Sequence, residues 1–286
     1  MPKISIITIN FNNLNGLNQT IQSVITQSYK DFEYIIIDGG SCDGSKEIIE
    51  KYTKDISYWV SENDTGIYHA MNKGIAQAKG EYLLFLNSGD FFLNDEVLRK
   101  VFSDNPWKDI LYGEIIFESG IENKILMKLP EDLTLEYLFE STIWHPSTFI
   151  KKVLFEKNGN YNQKYKIAAD YDFFFRAIIV KKCSTQYMPF PITVFNTEGI
   201  SSDSKNLNKI QQERESVHLE YLSSVDIVYL NNYKKIRNKT LSKWIVGRPV
   251  ASFVVNYLCA VYITVKFFLR PIYAFLKRVV FGLSRH

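Results

Sequence analysis

Ile4 to Ile9 is a β-branched run interrupted only by Ser5, and Asn10 to Gly16 ends it with four Asn and a Gly. This pattern predicts a strand running into a polar loop. Leu17, Ile21, Val24, Ile25 and Tyr29 then recur at helical spacing. Phe32 to Ile37 is a second apolar run, so the opening segment reads as strand, helix, strand, with parallel strands and a right-handed crossover. A short helix over Lys46 to Tyr52 and a weaker strand over Tyr58 to Ser61 follow. A polar loop from Glu62 leads into a further helix, which Gly80 is expected to terminate. Tyr82 to Leu86 has the bulk of a strand buried on both faces, as at the centre of a parallel sheet.

Beyond this strand the pattern shortens. Residues 94 to 103 predict a helix; Ile110–Tyr112, Ile115–Phe117 and Ile125–Lys128 read as short strands, and Leu133–Phe139 as a helix. Trp144 to Ile150 begins another strand, because the residue before Pro146 is driven extended. The apolar density of Ile167 to Val180 implies a buried helix, Phe190–Phe195 a last strand, and Asn206–Leu222 a polar surface helix.

Composition adds little until charge is followed along the chain. An apolar fraction of 46% supplies a sizeable core, and aromatic residues are abundant at 15%. The formal charge is +3, yet no acid follows Asp226 while eleven Lys or Arg do, which leaves −8 on residues 1–226. An acidic body, residues 1–225, is therefore expected to carry a basic tail, residues 226–286. Lys266, Arg270 and Lys277 fall on one side of a helix otherwise covered by Phe267, Phe268, Leu269, Tyr273, Phe275 and Leu276. Such a segment lies in a membrane interface and selects an anionic surface. The charge-free stretch from Pro249 to Val265 is slightly short for a spanning helix. Cys42, Cys183 and Cys259 are odd in number and lack metal-ligand spacing, which fits a reducing compartment. The apolar run of the first residues is too short for a signal peptide and reads as the first strand.

The candidate chemistry sits where strands end, since ligands of open α/β sheets bind at the carboxyl edge. Asp38 follows the second strand, and Asp90 closes the turn Asn87-Ser-Gly-Asp after the central one. Asp43 reads as a turn or cap residue, Asp64 as a possible helix cap, and His69 as a packed or solvent-facing side chain. Asp172 and Arg176, four apart, can pair on one helical face. Asp170 has no such partner, and serves either as an N-cap or as a general base facing a cleft. His145 fits a ligand contact or a structural role equally, and the loop Asn196 to Ser204 offers hydroxyls and N–H groups to phosphates.

Six stretches occur in order: Ile4-Ser-Ile-Ile-Thr-Ile-Asn-Phe-Asn; Phe32 to Ser45; Asn63-Asp64-Thr-Gly-Ile-Tyr-His-Ala-Met-Asn72-Lys73-Gly; Gly80 to Asp90; His145-Pro-Ser-Thr-Phe-Ile; and Ala169-Asp170-Tyr-Asp172. Together they resemble the family 2 glycosyltransferases of the GT-A fold that build bacterial surface polysaccharides. The likeness covers roughly residues 3–203 and leaves the tail outside. It implies an α/β fold with a Rossmann-like, mostly parallel sheet flanked by helices, followed by the helical basic and aromatic tail. By the same resemblance, Thr8, Asn10 and Asp38 line the nucleotide base and ribose. Asp64 and Lys73 lie near the diphosphate of a UDP- or GDP-sugar, and Asn87 joins this donor-binding set. Asp90 ligates a divalent cation, Mg²⁺ or Mn²⁺, and Asp170 is the catalytic base. His145, Asp172 and Ser202 fall in the vicinity of the acceptor or diphosphate. Asn87 and Gly89 stand where many members carry Asp, so the donor must supply most metal ligands. The expected enzyme inverts configuration and transfers a sugar to a saccharide acceptor, lipid-linked at the inner face of the cell membrane, with no nucleic-acid partner. Two other classes fit the same residues less fully: a nucleotidyltransferase, whose phosphate loop is usually basic where Asn10–Asn15 is neutral, and a catalytically silent nucleotide-sugar binder.

Overall fold

A computed structural model describes residues 1–119, 123–197, 199 and 202–238. β1 (Ile4–Asn10) is buried along its whole length. α1 (Leu14–Ile25) follows, with Asn13 capping it by accepting the Gly16 N–H. β2 (Phe32–Asp38), α2 (Ser45–Lys51) and β3 (Tyr58–Ser61) complete two crossovers. α3 (Ile67–Gln77) precedes β4 (Tyr82–Phe85), every residue of which is buried. β3, β2, β1 and β4 lie side by side and all parallel, with Asn10 opposite Asp38 and Asp38 opposite Ser61 at their carboxyl ends. This register gathers their polar terminal residues on one edge.

After the parallel half, the sheet becomes mixed. The chain runs through β5 (Phe91–Phe92), α4 (Val97–Phe102), β6 (Ile110–Ser119), β7 (Asn123–Met127), α5 (Leu135–Glu140), a tight turn at His145–Ser147 and β8 (Thr148–Lys151). α6 (Lys152–Asn158), α7 (Ala169–Phe174), a wider π-turn segment Phe175–Val180, β9 (Thr185–Asn196) and α8 (Leu207–Tyr221) follow. β8 is antiparallel to both β4 and β6, β6 runs parallel to β9, and β5 and β7 pair antiparallel with β9 and β6. One face packs Leu17, Ile21 and Val24 of α1 against Ile6, Ile36 and Leu84. The opposite face carries α3, where a Cβ on Gly74 would come within 2.4 Å of Ile7, and an aromatic cluster in which Phe85 meets Phe155 edge to face and Phe155 stacks on Phe173.

Two sequence expectations are corrected here, and one element is added. α3 ends at Gln77, before Gly80, with Ala78 N–H reaching back to Gly74 O and Ile75 O. Gly80 serves a different need: a Cβ there would lie 2.4 Å from Ser5 N and 2.6 Å from Ile4 C, so only glycine admits the close approach to β1. Ile110–Tyr112 and Ile115–Phe117 are one strand, because β9 pairs across the irregularity at Gly113–Ile115 that interrupts their pattern. Between Asp90 and the expected helix, which is α4, lies the two-residue strand β5, which the sequence pattern does not announce. Phe91 and Phe92 find their partners in Val194 and Thr193, about a hundred residues onward, where no local pattern points.

The chain divides into two compact units, Met1–Tyr221 and Leu222–His286. Within the second, α9 (Ser224–Asn238) is described. The basic aromatic segment of residues 239–286 lies outside the described residues. Among the described residues, no helix is long and apolar enough to cross a membrane.

Candidate functional site

Asp38 is fully buried at the end of β2. Its carboxylate accepts from Asn10 Nδ2 at 2.8 Å, Ser41 N at 2.9 Å, Ser41 Oγ at 2.6 Å and Ser61 Oγ at 2.6 Å. Burial raises its pKa, but the Ser41, Ser61 and Asn10 donors outweigh that and hold it below the ordinary carboxylate range. A carboxylate only accepts, so Asn10 must turn its amide nitrogen inward, and its Oδ1 is left buried without a partner. Thr8 lies deeper: its hydroxyl donates to Leu86 O at 2.8 Å and accepts from Tyr34 at 3.0 Å, so it has no proton to offer a ligand. Asp64 closes over this edge, accepting Gly66 N–H at 2.8 Å and standing where a Cβ on Gly39 would be 2.8 Å from its Oδ2. Lys73, on α3, is paired with Glu62 at 2.8 Å.

The turn after β4 is fixed from several sides. Ser88 N–H donates to Ile9 O at 3.0 Å, Asp90 N–H to Asn87 O at 2.9 Å, and Gly89 takes φ +102°. Thr20 of α1 braces it, accepting Gly89 N–H at 3.0 Å and donating to Asp90 O at 2.7 Å. Nothing in the sequence marked Thr20, since its partners are some seventy residues away. The Asp90 carboxyl is 4% exposed and accepts one bond, from Asn196 N–H at 3.2 Å. Burial pushes its pKa up to about 7, against the opposing effects of His145 and the Asn196 N–H.

His145 links the two halves of the site. Its Nδ1 lies 3.2 Å from Asp170 Oδ2, and its Nε2 lies 3.1 Å from Asn87 Nδ2. Asp170, in the first turn of α7, also accepts Tyr171 N–H at 2.9 Å, and the Tyr68 hydroxyl lies between its Oδ1 at 2.9 Å and Ile167 O at 2.6 Å, donating one proton shared between them. Burial raises the Asp170 pKa; His145, Tyr68 and the Tyr171 N–H more than compensate, so it stays ionised. Facing an acceptor-only carboxylate, Nδ1 must carry the imidazole proton, and Nε2 then receives the Asn87 amide proton. Asn87 Oδ1 remains buried and partnerless. Asn87, His145, Asp170 and Tyr68 thus form one hydrogen-bonded chain from the end of β4 to the start of α7.

Glu213, from α8, supports the base of this chain. It accepts the N–H groups of Lys166 at 2.8 Å and of Ile167 and Ala168 at 2.9 Å, the three residues leading into α7. Asp172 projects elsewhere, fully buried, toward Tyr221 Oη at 3.1 Å and Arg176 Nη2 at 3.6 Å. Burial raises its pKa, which the Arg176 charge and the Tyr221 bond oppose. The structure does not bring Asp172 to the His145–Asp170 pair. Ser202 is exposed, with its N–H on Gly199 O at 3.0 Å. Asp43 accepts Leu14 N–H and Ser45 N–H, holding a turn as expected.

Among the described residues, no group of three or more His, Cys, Asp or Glu could hold a metal ion alone. The donors present fit a cation that brings most of its oxygen ligands with it: one buried carboxylate, Asp90, and the unpartnered Oδ1 of Asn87 three residues before it.

The sequence profile described as Glycosyl transferase family 2 matches residues 5–183. An uncharacterised glycosyltransferase of Mycobacterium tuberculosis is 34% identical over 205 residues, 70% of this chain and 78% of its own length. A PGL/p-HBAD biosynthesis glycosyltransferase of Mycobacterium bovis is 30% identical over 204 residues, 69% of this chain and 78% of its own. Among solved structures, S. aureus TarS 1-349 in complex with UDP-GlcNAc superposes with a TM-score of 0.61 at 20% identity, covering 80% of this chain and 70% of that one. This last likeness establishes the GT-A fold.

Proposed function

The chain belongs to glycosyl transferase family 2, and on that premise we propose that it is an inverting glycosyltransferase. It moves a sugar from a UDP- or GDP-sugar to a hydroxyl of a lipid-linked saccharide during surface glycan synthesis. The observation that carries this reading is the Asp170 carboxylate, kept ionised and oriented by His145 and Tyr68 at one end of a hydrogen-bonded chain whose other end is the Asp90 turn. Asp170 accepts the acceptor hydroxyl proton as that oxygen attacks the anomeric carbon. The bond from that carbon to the diphosphate oxygen breaks in the same displacement, which inverts the configuration. The partnerless Asn10 Oδ1 and the Asp38 edge take the nucleoside, while Asp64 and Lys73 lie toward its diphosphate. Asp90, with Asn87 Oδ1 beside it in the same turn, would hold a divalent cation, which would supply charge neutralisation to the leaving diphosphate.

The acid-free run of eleven bases after Asp226 supports peripheral docking of the tail on the anionic inner leaflet, where a lipid-linked acceptor is presented. Flotation with anionic vesicles tests this, because a chain ending at Lys239 should no longer float with them.

The decisive experiment follows nucleoside diphosphate release from UDP- and GDP-sugars with extracted lipid-linked glycans as acceptor. Asp170→Asn should lower transfer by roughly 10²–10⁴-fold while donor binding persists. Near-normal transfer by that variant overturns the assignment, and release of pyrophosphate would identify a nucleotidyltransferase.

A further inference from the structure

Three aromatic rings stand on the sheet face that carries the His145–Asp170 pair. Phe117 of β6 lies opposite Phe195 of β9 in parallel register, so both side chains leave the same face. Thr193, two residues before Phe195, shares that face, and its hydroxyl is 2.6 Å from Ser147 Oγ. This bond seats the His145–Ser147 turn directly over the strand that bears Phe195. Trp144, next to His145 in the chain, completes the group: its ring centroid is 5.5 Å from Phe117 at 69°, and Phe117 is 5.2 Å from Phe195 at 42°.

All three rings are partly exposed, whereas Tyr112, Phe149, Phe173, Phe174 and Phe175 of the same unit are fully buried. Core packing therefore does not consume them. An acceptor must bring its nucleophilic oxygen within hydrogen-bond reach of Asp170, which sets its sugar ring beside His145, at the turn that the Ser147–Thr193 bond joins to the sheet face of Phe117 and Phe195, with Trp144 packed on Phe117. A pyranose offers an apolar C–H face edged by hydroxyls. The surroundings match: the strands that carry the rings continue into the polar residues Glu118, Asn196 and Thr197. Rings packed at an angle and bordered by polar groups suit a rigid sugar better than an alkyl chain, which would need a longer apolar groove.

We propose that Trp144, Phe117 and Phe195 form the acceptor subsite, a platform for the C–H face of a pyranose ring. The inference rests on the glycosyl-transfer reading above and adds where and how the acceptor is held.

Saturation-transfer NMR on the full chain with UDP present tests it, using methyl pyranosides of gluco, galacto, manno and N-acetylglucosamine configuration together with octyl glucoside below its micellar concentration. Ring C–H signals of at least one pyranoside should receive saturation. Trp144→Ala should reduce that transfer roughly fivefold, as loss of one stacking partner implies. Trp144→Phe should retain most of it, and Phe195→Ala should act in the same direction as Trp144→Ala. UDP binding, measured by calorimetry on each variant, should be unchanged, which separates a lost platform from a lost fold. Equal saturation in Trp144→Ala and wild type, no pyranoside binding to wild type, or saturation confined to the octyl chain overturns the proposal. Failure of UDP and GDP to bind wild-type protein would instead count against the donor reading itself.

Discussion

His145 Nδ1 is hydrogen-bonded to Asp170 Oδ2 at 3.2 Å, while the other nitrogen of the same ring meets the Asn87 amide at 3.1 Å. The imidazole therefore fixes the base through one atom and reads the Asp90 turn through the other. The two roles separate by substitution, because an Asn amide nitrogen falls near the Nδ1 position and a Gln amide near Nε2. His145→Asn should keep kcat within roughly tenfold of wild type, and His145→Gln should lower it roughly a hundredfold, a positioned base being worth about 10²–10⁴. Donor affinity should be unchanged in both. Equal losses in the two variants would show that His145 does not act through Asp170.

Asp90 predicts an inverted stability effect. Its carboxyl is buried and pushed up to about 7 from 3.8. Between those values the folded state holds a proton that the unfolded state has released, so stability falls as pH rises from about 4 to about 7. Each unit of displacement is worth about 1.4 kcal/mol. In metal-free buffer at pH 8, Asp90→Asn should therefore raise Tm, by an amount equivalent to ~4 kcal/mol at most, and the gain should vanish near pH 4. Mn²⁺ should add to the stabilisation that UDP gives wild type and add nothing to that of the variant. A lower Tm for Asp90→Asn at pH 8 would contradict this account.

Glu213 organises the approach to α7 by accepting three consecutive N–H groups. Glu213→Ala leaves them without that partner and should cost ~1–3 kcal/mol in urea unfolding. Glu213→Gln, which keeps one acceptor oxygen, should lose less. Because Asp170 sits two residues beyond Ala168, Glu213→Ala should also reduce kcat more than it raises the donor KM.

Gly80→Ala tests the close approach of the segment before β4 to β1. The added methyl meets the backbone atoms Ser5 N and Ile4 C, which cannot move aside as a side-chain tip can. Destabilisation of ~1–3 kcal/mol is expected, measurable by thermal or urea denaturation, with wild-type stability as the contrary result.

The sequence alone determined the parallel half of the sheet and the polar edge on which the donor reading rests. Ile4–Ile9, Phe32–Ile37 and Tyr82–Leu86 are local apolar runs, and a run buried on both faces declares itself without reference to the rest of the chain. Asp38 and Asp90 were legible because they terminate such runs. The Asp172–Arg176 pair was legible because helical spacing brings residues four apart together. What tertiary structure decided are relations between residues that no period connects. Asn87 finds His145 across 58 residues, Tyr68 finds Asp170 across 102, and Glu213 reaches back 45 to 47 residues to the turn before α7. Gly80 shows the same division within one residue. Its position after a helical pattern suggested a helix end, whereas its missing Cβ answers to β1, a strand whose distance in the chain hides its proximity in the fold. Local patterns fix which elements form, because they depend on burial and backbone preference. Hydrogen-bond geometry at the site depends on how those elements meet, and only the folded chain contains that information.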